Sequence, residues 1–368
     1  MAETRHLPAL RRLTGAEVVA AADIKQDQLE RVAGLFDIKD RYADYQRLLV
    51  DRSIDAVAVC VPAGFHVEVS LAALDAGKHV FVEKPLALSL EEADRLVERA
   101  GRSSRKVTVG FNMRWHRLVR QAREMIQHGT LGPLQLIRSV FTAQHESIPE
   151  WRKRRELGGG VLFEVAVHHF DLWRFLLQSE VEEVFAASRS GEWEDEVATV
   201  TARMTNGVLA TSVFSELTSG SEEVELYGRT GRLRVSCYDF DGLGYFPRDA
   251  YSGDLRTRLR QIAHTLRELP RGIGRMGDGG DFIASYRAEW RHFIDCIQRD
   301  TKPQCTMEDG RRALQVVLAA IESASSGKPV RIAQPSGGNA SMAPRLGVPK
   351  RAAESAALVQ SRIEHERS

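Results

Sequence analysis

The chain has 368 residues, 43% of them hydrophobic, and its 51 basic and 50 acidic side chains leave a formal charge of +1 at pH 7. That length exceeds what one hydrophobic core usually serves, so two domains are expected, and the balanced charge argues against nucleic acid or an anionic membrane as a partner. No apolar run approaches the roughly 20 residues of a membrane span and no signal-peptide order opens the chain, so the expected location is the cytoplasm.

In chain order, residues 2–13 read as a helix with Leu7, Leu10 and Leu13 on one face. Short apolar runs at 17–22, 56–61, 79–82 and 107–111 then alternate with helical patterns, which predicts an α/β, doubly wound parallel sheet over residues 1–114. Ser89 and Glu92 have capping-box spacing and start a helix that runs to about Arg99. Beyond Trp115 the period changes: residues 134–144 alternate as a half-buried strand, and 197–205 faces 208–216 across Asn206-Gly207, a hairpin turn dipeptide. Strand patterns at 222–227 and 232–238 add to an antiparallel sheet, so residues 115–334 form a second, α+β domain. Within it, 245–280 reads as an Arg- and Gly-rich insertion around one helix at 255–269, whose Arg256, Arg258, Arg260 and Arg267 fit a solvated face. Helices at 281–298 and 308–325 close the fold, and 335–368 has the composition of a loose tail. Cys60, Cys237, Cys296 and Cys305 are scattered, which predicts reduced thiols and no metal site.

In a doubly wound sheet ligands sit beyond the carboxyl ends of the strands, and an acid ending the second strand binds the ribose of NAD. Asp23 stands at that position, though an Asp there also serves as a turn or helix cap, and nearby Lys25 leaves room for the 2′-phosphate of NADP. The glycine-rich loop that precedes such an acid by roughly 20 residues would fall at or before Met1. The first strand and its loop are therefore expected to be missing, through a misplaced start or a loss of cofactor binding. Glu83-Lys84-Pro85 ends another strand, where a proline, if cis, would aim Lys84 into the cleft; a surface lysine in a loop is the plainer alternative. Gly158-Gly159-Gly160 opens a helix on which Glu164 and His168 lie four residues apart, with Asp171 a turn further on. Such a carboxylate can orient an imidazole that acts as a general base, although a histidine on such a helix also serves simply as a core residue.

Together, Glu83-Lys84-Pro85, the run from Val109 to Arg114, Gly158-Gly-Gly-x-x-x-Glu164-x-x-x-His168-x-x-Asp171, Glu289-x-x-x-Phe293 and the stretch from Asp309 to Leu314 resemble the glucose-fructose oxidoreductase, inositol dehydrogenase and MocA family. The resemblance implies a Rossmann domain, a second domain with a large open sheet, NAD or NADP as cofactor, and hydride transfer at a ring hydroxyl of a sugar, inositol or related polyol. It implies Lys84 and His168 as catalytic groups, with Glu164 where the family usually has Asp. Asp23, Pro62, His66, Glu83 and Lys84 would border the cofactor, and Asn112, Arg114 and Asp171 the substrate. Two alternatives stay open: an NAD-dependent glycoside hydrolase of the same family, and a non-catalytic sugar- or partner-binding relic. The open sheet implies a homo-oligomer, by analogy at the level of the fold.

Overall fold

In the computed structural model the described residues are 1–145, 148–237, 243–251, 254–276 and 280–334. The expected tail at 335–368 lies outside them. A π turn, Ala2–His6, runs into a short helix, α1 (Leu7–Leu10). Its buried residues are His6 and Ala9 rather than the leucine triad, while Leu10 and Leu13 pack at the rim of a cluster that contains Phe81, Tyr286, Trp290 and Phe293. A π turn is wider than an α turn, which shifts the inward face off the leucine spacing.

Five short strands follow: β1 (Ala20–Ala22), β2 (Asp40–Tyr42), β3 (Ala56–Val59), β4 (His79–Val82) and β5 (Val107–Val109). Between them lie α2 (Gln26–Phe36), α3 (Tyr45–Leu49), α4 (His66–Asp75) and α5 (Leu90–Gly101). All pairings are parallel, in one sheet of order β1-β2 and another of order β3-β4-β5. β2 has the polar sequence Asp-Arg-Tyr and carried no strand pattern. In the doubly wound order 3-2-1-4-5-6 these strands take the places of 3-2 and 4-5-6, and no described strand fills the central place. β4 is buried along its whole length, as a continuous apolar run in a covered parallel sheet should be. The Ser89 hydroxyl accepts from the Glu92 amide at 3.2 Å, but the Glu92 carboxylate accepts from the Leu88 amide, one residue before the capping-box partner.

The second layer starts with α6 (Arg117–Gln127) and β6 (Leu134–Gln144), followed by α7 (Val167–Leu177) and β7 (Val181–Arg189). Five strands come next: β8 (Val197–Met204), β9 (Leu209–Ser215), β10 (Leu217–Gly228), β11 (Gly231–Ser236) and β12 (Leu243–Pro247). Helices α8 (Leu255–Met276), α9 (Gly280–Gln298) and α10 (Met307–Ser326) and the short β13 (Val330–Arg331) complete it. The eight-stranded sheet has the order β12-β11-β10-β6-β9-β8-β7-β13. It is mixed rather than antiparallel, because β6 and β9 pair in parallel at its centre. The β8-β9 turn is also not the expected one. Only Gly207 has positive φ (85°), its amide bonds the Met204 carbonyl, and the Asn206 side chain accepts from the Val208 amide.

One face of the sheet is covered by α7 and α10. Ala198, Val200, Ala210 and Phe214 are buried there, and Trp173 donates from Nε1 to Ser139 at 3.1 Å. The opposite face presents Phe185, Leu209 and Val213. α8 extends past the expected helix end, through Pro270, and its exposed side chains include Leu255, Leu259, Ile262 and Leu266 as well as Arg256, Arg258, Arg260 and Arg267. Residues Met1–Ile332 form one compact unit, with a continuous core from β3 and β4 through α7 to α10.

Candidate active site

Four segments converge at the carboxyl ends of the parallel strands: Asp23 after β1, Cys60 to Pro62 after β3, Glu83 to Pro85 after β4 and Phe111 after β5. Such ends form the ligand crevice of a doubly wound sheet. The Lys84–Pro85 peptide bond is cis, as the sequence suggested it could be. Lys84 lies nearly flush in the wall, and its Nζ donates to the Glu164 carbonyl at 2.7 Å. The strand end after β4 and the turn before α7, 80 residues apart in sequence, are thereby joined.

Glu164 does not reach His168. Its Oε2 lies 3.5 Å from both Lys84 Nζ and Arg152 Nε. The local reason is again a π turn, Leu162–Ala166, which precedes α7 and removes the regular four-residue alignment. His168 Nδ1 is sealed from solvent without a hydrogen-bond partner, whereas Nε2 is not sealed. Burial, followed by the Lys84 cation, holds this imidazole well below the usual histidine range, so it is neutral at pH 7. His169, its neighbour, faces the opposite way, edge-on to Phe214, and burial depresses it to about 3.

The three glycines are required by contact. A side chain at Gly159 would place a Cβ 2.1 Å from the Arg152 carbonyl oxygen. Gly160, at φ 84°, lies under the Glu194 carbonyl. Arg152, set by this turn, donates from Nη2 to Glu216 at 2.6 Å. Arg152 and Glu216 had no sequence signal. They come from a loop and a strand end that only the tertiary fold brings to Glu164.

Glu83 points away from the cleft. Its Oε1 accepts from His6 Nε2 at 2.7 Å, and its Oε2 accepts from the Lys84 amide at 3.0 Å. His6 Nδ1 in turn accepts from Trp290 Nε1 at 3.0 Å, which fixes the tautomer with the proton on Nε2. Burial works against the Glu83 anion, but the His6 bond and the Lys84 cation outweigh it and hold the carboxyl at about 2. His6 was read only as part of an amphipathic helix, and nothing in the sequence marked it as a support for the lysine strand.

The other predicted residues divide. Asp23 stays at the crevice, where its carboxylate accepts from the Lys25 amide at 2.8 Å and from Gln28 at 3.2 Å, and Pro62, after β3, is exposed. His66 is turned inward, its ring nitrogens 2.7 Å from the Pro85 carbonyl and 2.9 Å from that of Val61, so it clamps the two strand ends together. Asn112 is buried and donates to Ser285. Arg114 and Asp171 lie on each other, with bonds of 2.6 and 2.5 Å, in a buried network with Asp309 and Arg174. That network supports α7 from behind.

The residues present fit the ribose and ring ends of a dinucleotide, while no described strand or glycine-rich loop fills the central place from which its pyrophosphate would be held. An acidic side chain follows β1, and the apolar Ile24, Val61 and Phe65 are exposed along the same strand ends, where a nicotinamide or adenine ring would cover them. Among the described residues no group of His, Cys, Asp and Glu could hold a metal, and no helix is long and apolar enough to cross a membrane.

Comparison with known proteins agrees with this fold. The model of the Gfo/Idh/MocA oxidoreductase family, with its NAD-binding Rossmann fold, matches residues 1–111, and that of the Gfo/Idh/MocA C-terminal domain matches 119–234. The chain is 27% identical to myo-inositol 2-dehydrogenase of Thermotoga maritima, over 89% of this chain and 95% of that protein. It is 26% identical to the NAD(+)-dependent scyllo-inositol 2-dehydrogenase of Bacillus subtilis, over 86% and 89%. A levoglucosan dehydrogenase solved with NADH and levoglucosan has the same fold, with a TM-score of 0.76 at 19% identity, over 89% of this chain and 96% of that one.

Proposed function

The chain belongs to the Gfo/Idh/MocA family of NAD-binding oxidoreductases, and on that premise we propose that it transfers a hydride between NAD and a ring hydroxyl or ketone of an inositol, a sugar or a related polyol. The observation that carries this reading is the meeting of Lys84 with the turn that bears Glu164 and leads into the helix of His168. Its relatives are dehydrogenases, and neither the hydrolase nor the non-catalytic reading gains support from them.

NAD, when bound, supplies the hydride acceptor. Asp23, Pro62 and Lys84 border it, with His66 and Glu83 fixing the strand ends from inside. The Asp23 carboxylate disfavours a 2′-phosphate and so favours NAD over NADP. In the oxidation direction the substrate hydroxyl lies between Lys84 and His168. Lys84 uses one of its three donors on the Glu164 carbonyl and offers another to the substrate oxygen, where negative charge develops. His168 takes the hydroxyl proton at Nε2, and its depressed basicity keeps it unprotonated and ready to do so. Glu164 faces the charges of both Lys84 and Arg152. Asn112, Arg114 and Asp171 act from behind the substrate cleft. The face of the eight-stranded sheet that presents Phe185, Leu209 and Val213 packs against a second copy, and light scattering on an eluting sample tests that assembly.

The test of the function is NADH formation from myo-inositol, scyllo-inositol and a panel of cyclic sugars by the purified chain. Turnover lowered by about a hundredfold or more in Lys84→Met and His168→Asn is the expected result. A folded protein that binds NAD yet turns over no polyol would reject the substrate class.

A further inference from the structure

Away from the strand ends, a cavity of about 540 Å³ opens between α6, the end of α7 and the start of α10. Neither Lys84 nor His168 lines it; four arginines do, Arg114, Arg120, Arg123 and Arg174, beside three carboxylates, Glu124, Glu180 and Asp309. Two of these are neutralised. Arg114 pairs with Asp171 and Asp309, and Arg174 with Glu180.

Arg120 and Arg123 are different. They stand three residues apart on α6, on one face of the helix. Among the described residues neither makes an ion pair. Each instead stacks on an aromatic ring, Arg123 at 4.0 Å over Phe175 and Arg120 at 4.9 Å over Trp115. Stacking satisfies the guanidinium faces and leaves the N–H edges without acceptors. Arg120 Nη1 and Arg123 Nε are both sealed from solvent and have no hydrogen-bond partner. A sealed donor without an acceptor is costly, and two cations side by side add repulsion. Burial and the nearby Arg114 and Arg120 charges accordingly lower the basicity of Arg123. An anion in the cavity would offset the repulsion and accept from the N–H groups of Arg120 and Arg123 that line it.

We propose that this cavity binds the oxyanion of a small metabolite, a phosphate monoester or a carboxylate, through Arg120 and Arg123 stacked on Trp115 and Phe175. Planar guanidinium forks held edge-on match the geometry of such groups. Arg114, in the same wall, bonds Asp171 on the helix that carries His168, so an occupant would touch the frame of the active site without entering it. The inference does not depend on which reaction the enzyme performs.

Calorimetry of the intact protein with inorganic phosphate and with succinate, each against chloride at equal ionic strength, tests it. Binding of either anion that weakens roughly tenfold or more in both Arg120→Gln and Arg123→Gln is the expected result. Saturable binding of phosphate alone identifies a phosphate ligand, and of succinate alone a carboxylate ligand. Thermal melts of the free variants show whether they fold. Should either variant unfold, the conservative Arg120→Lys and Arg123→Lys, which keep the charge and lose the fork, take its place and should weaken binding by a similar factor. No binding above the chloride control, or binding that survives the substitutions, overturns the proposal.

Discussion

Replacing Lys84 by Met tests the centre of the site, because it keeps the unbranched stem in the strand-end wall and removes only the ammonium. Three things are lost: the bond to the Glu164 carbonyl at 2.7 Å, the contact with the Glu164 carboxylate at 3.5 Å, and the cation that helps hold His168 neutral. The first is a charged hydrogen bond, and its loss should lower stability by about 1.5–3 kcal/mol, leaving a folded protein. If Lys84 stabilises charge on the reacting oxygen, kcat should fall by about 10²–10⁴, equivalent to roughly 3–5 kcal/mol at the transition state. NAD affinity should change little. The sign of the pH effect follows from the same contacts. With the cation gone, the His168 pKa rises towards its ordinary value, so the acid limb of the kcat profile moves to higher pH. Initial rates of NADH formation across pH, with NAD titrated separately, measure all three. A variant that keeps kcat within about tenfold of the parent, with an unmoved acid limb, would refute the role given to Lys84.

Three further perturbations separate support from chemistry. Gly159→Ala drives a Cβ into the Arg152 carbonyl and should cost about 1–3 kcal/mol and most of the activity, read by thermal melting and by rate; an unaltered protein would mean the turn is not as close as described. Asp171→Ala leaves the buried Arg114 with Asp309 as its remaining close carboxylate and should cost about 3–5 kcal/mol in a denaturant titration, whereas normal stability with a raised KM would return Asp171 to the substrate. His169 is buried neutral with a pKa of about 3, so the stability it permits is complete above pH 6.5 and is lost as pH falls from there towards 3. At pH 5 the loss is about 2 kcal/mol, and His169→Phe, which fits beside Phe214, should flatten that part of the profile.

By itself the chain determined several elements whose pattern is local. Residues 134–144 and 79–82 were legible as strands because a period of two, or an unbroken apolar run, is written in neighbouring side chains. Motif order singled out Lys84 and His168, and a proline after a strand-end lysine hinted at the cis bond. What the sequence could not hold was partnership across the chain. The expected Glu164–His168 pair dissolved because a π turn, invisible in residue spacing, gives Glu164 to Lys84 and Arg152. Asp171 left the substrate list for Arg114, and His66 turned from the cofactor towards two backbone carbonyls, since buried charges and ring nitrogens go to the nearest complementary group in space. β2 was missed because a polar three-residue strand is held only by β1. Spacing along a chain fixes which face a side chain can take, and only packing decides which partner is waiting there.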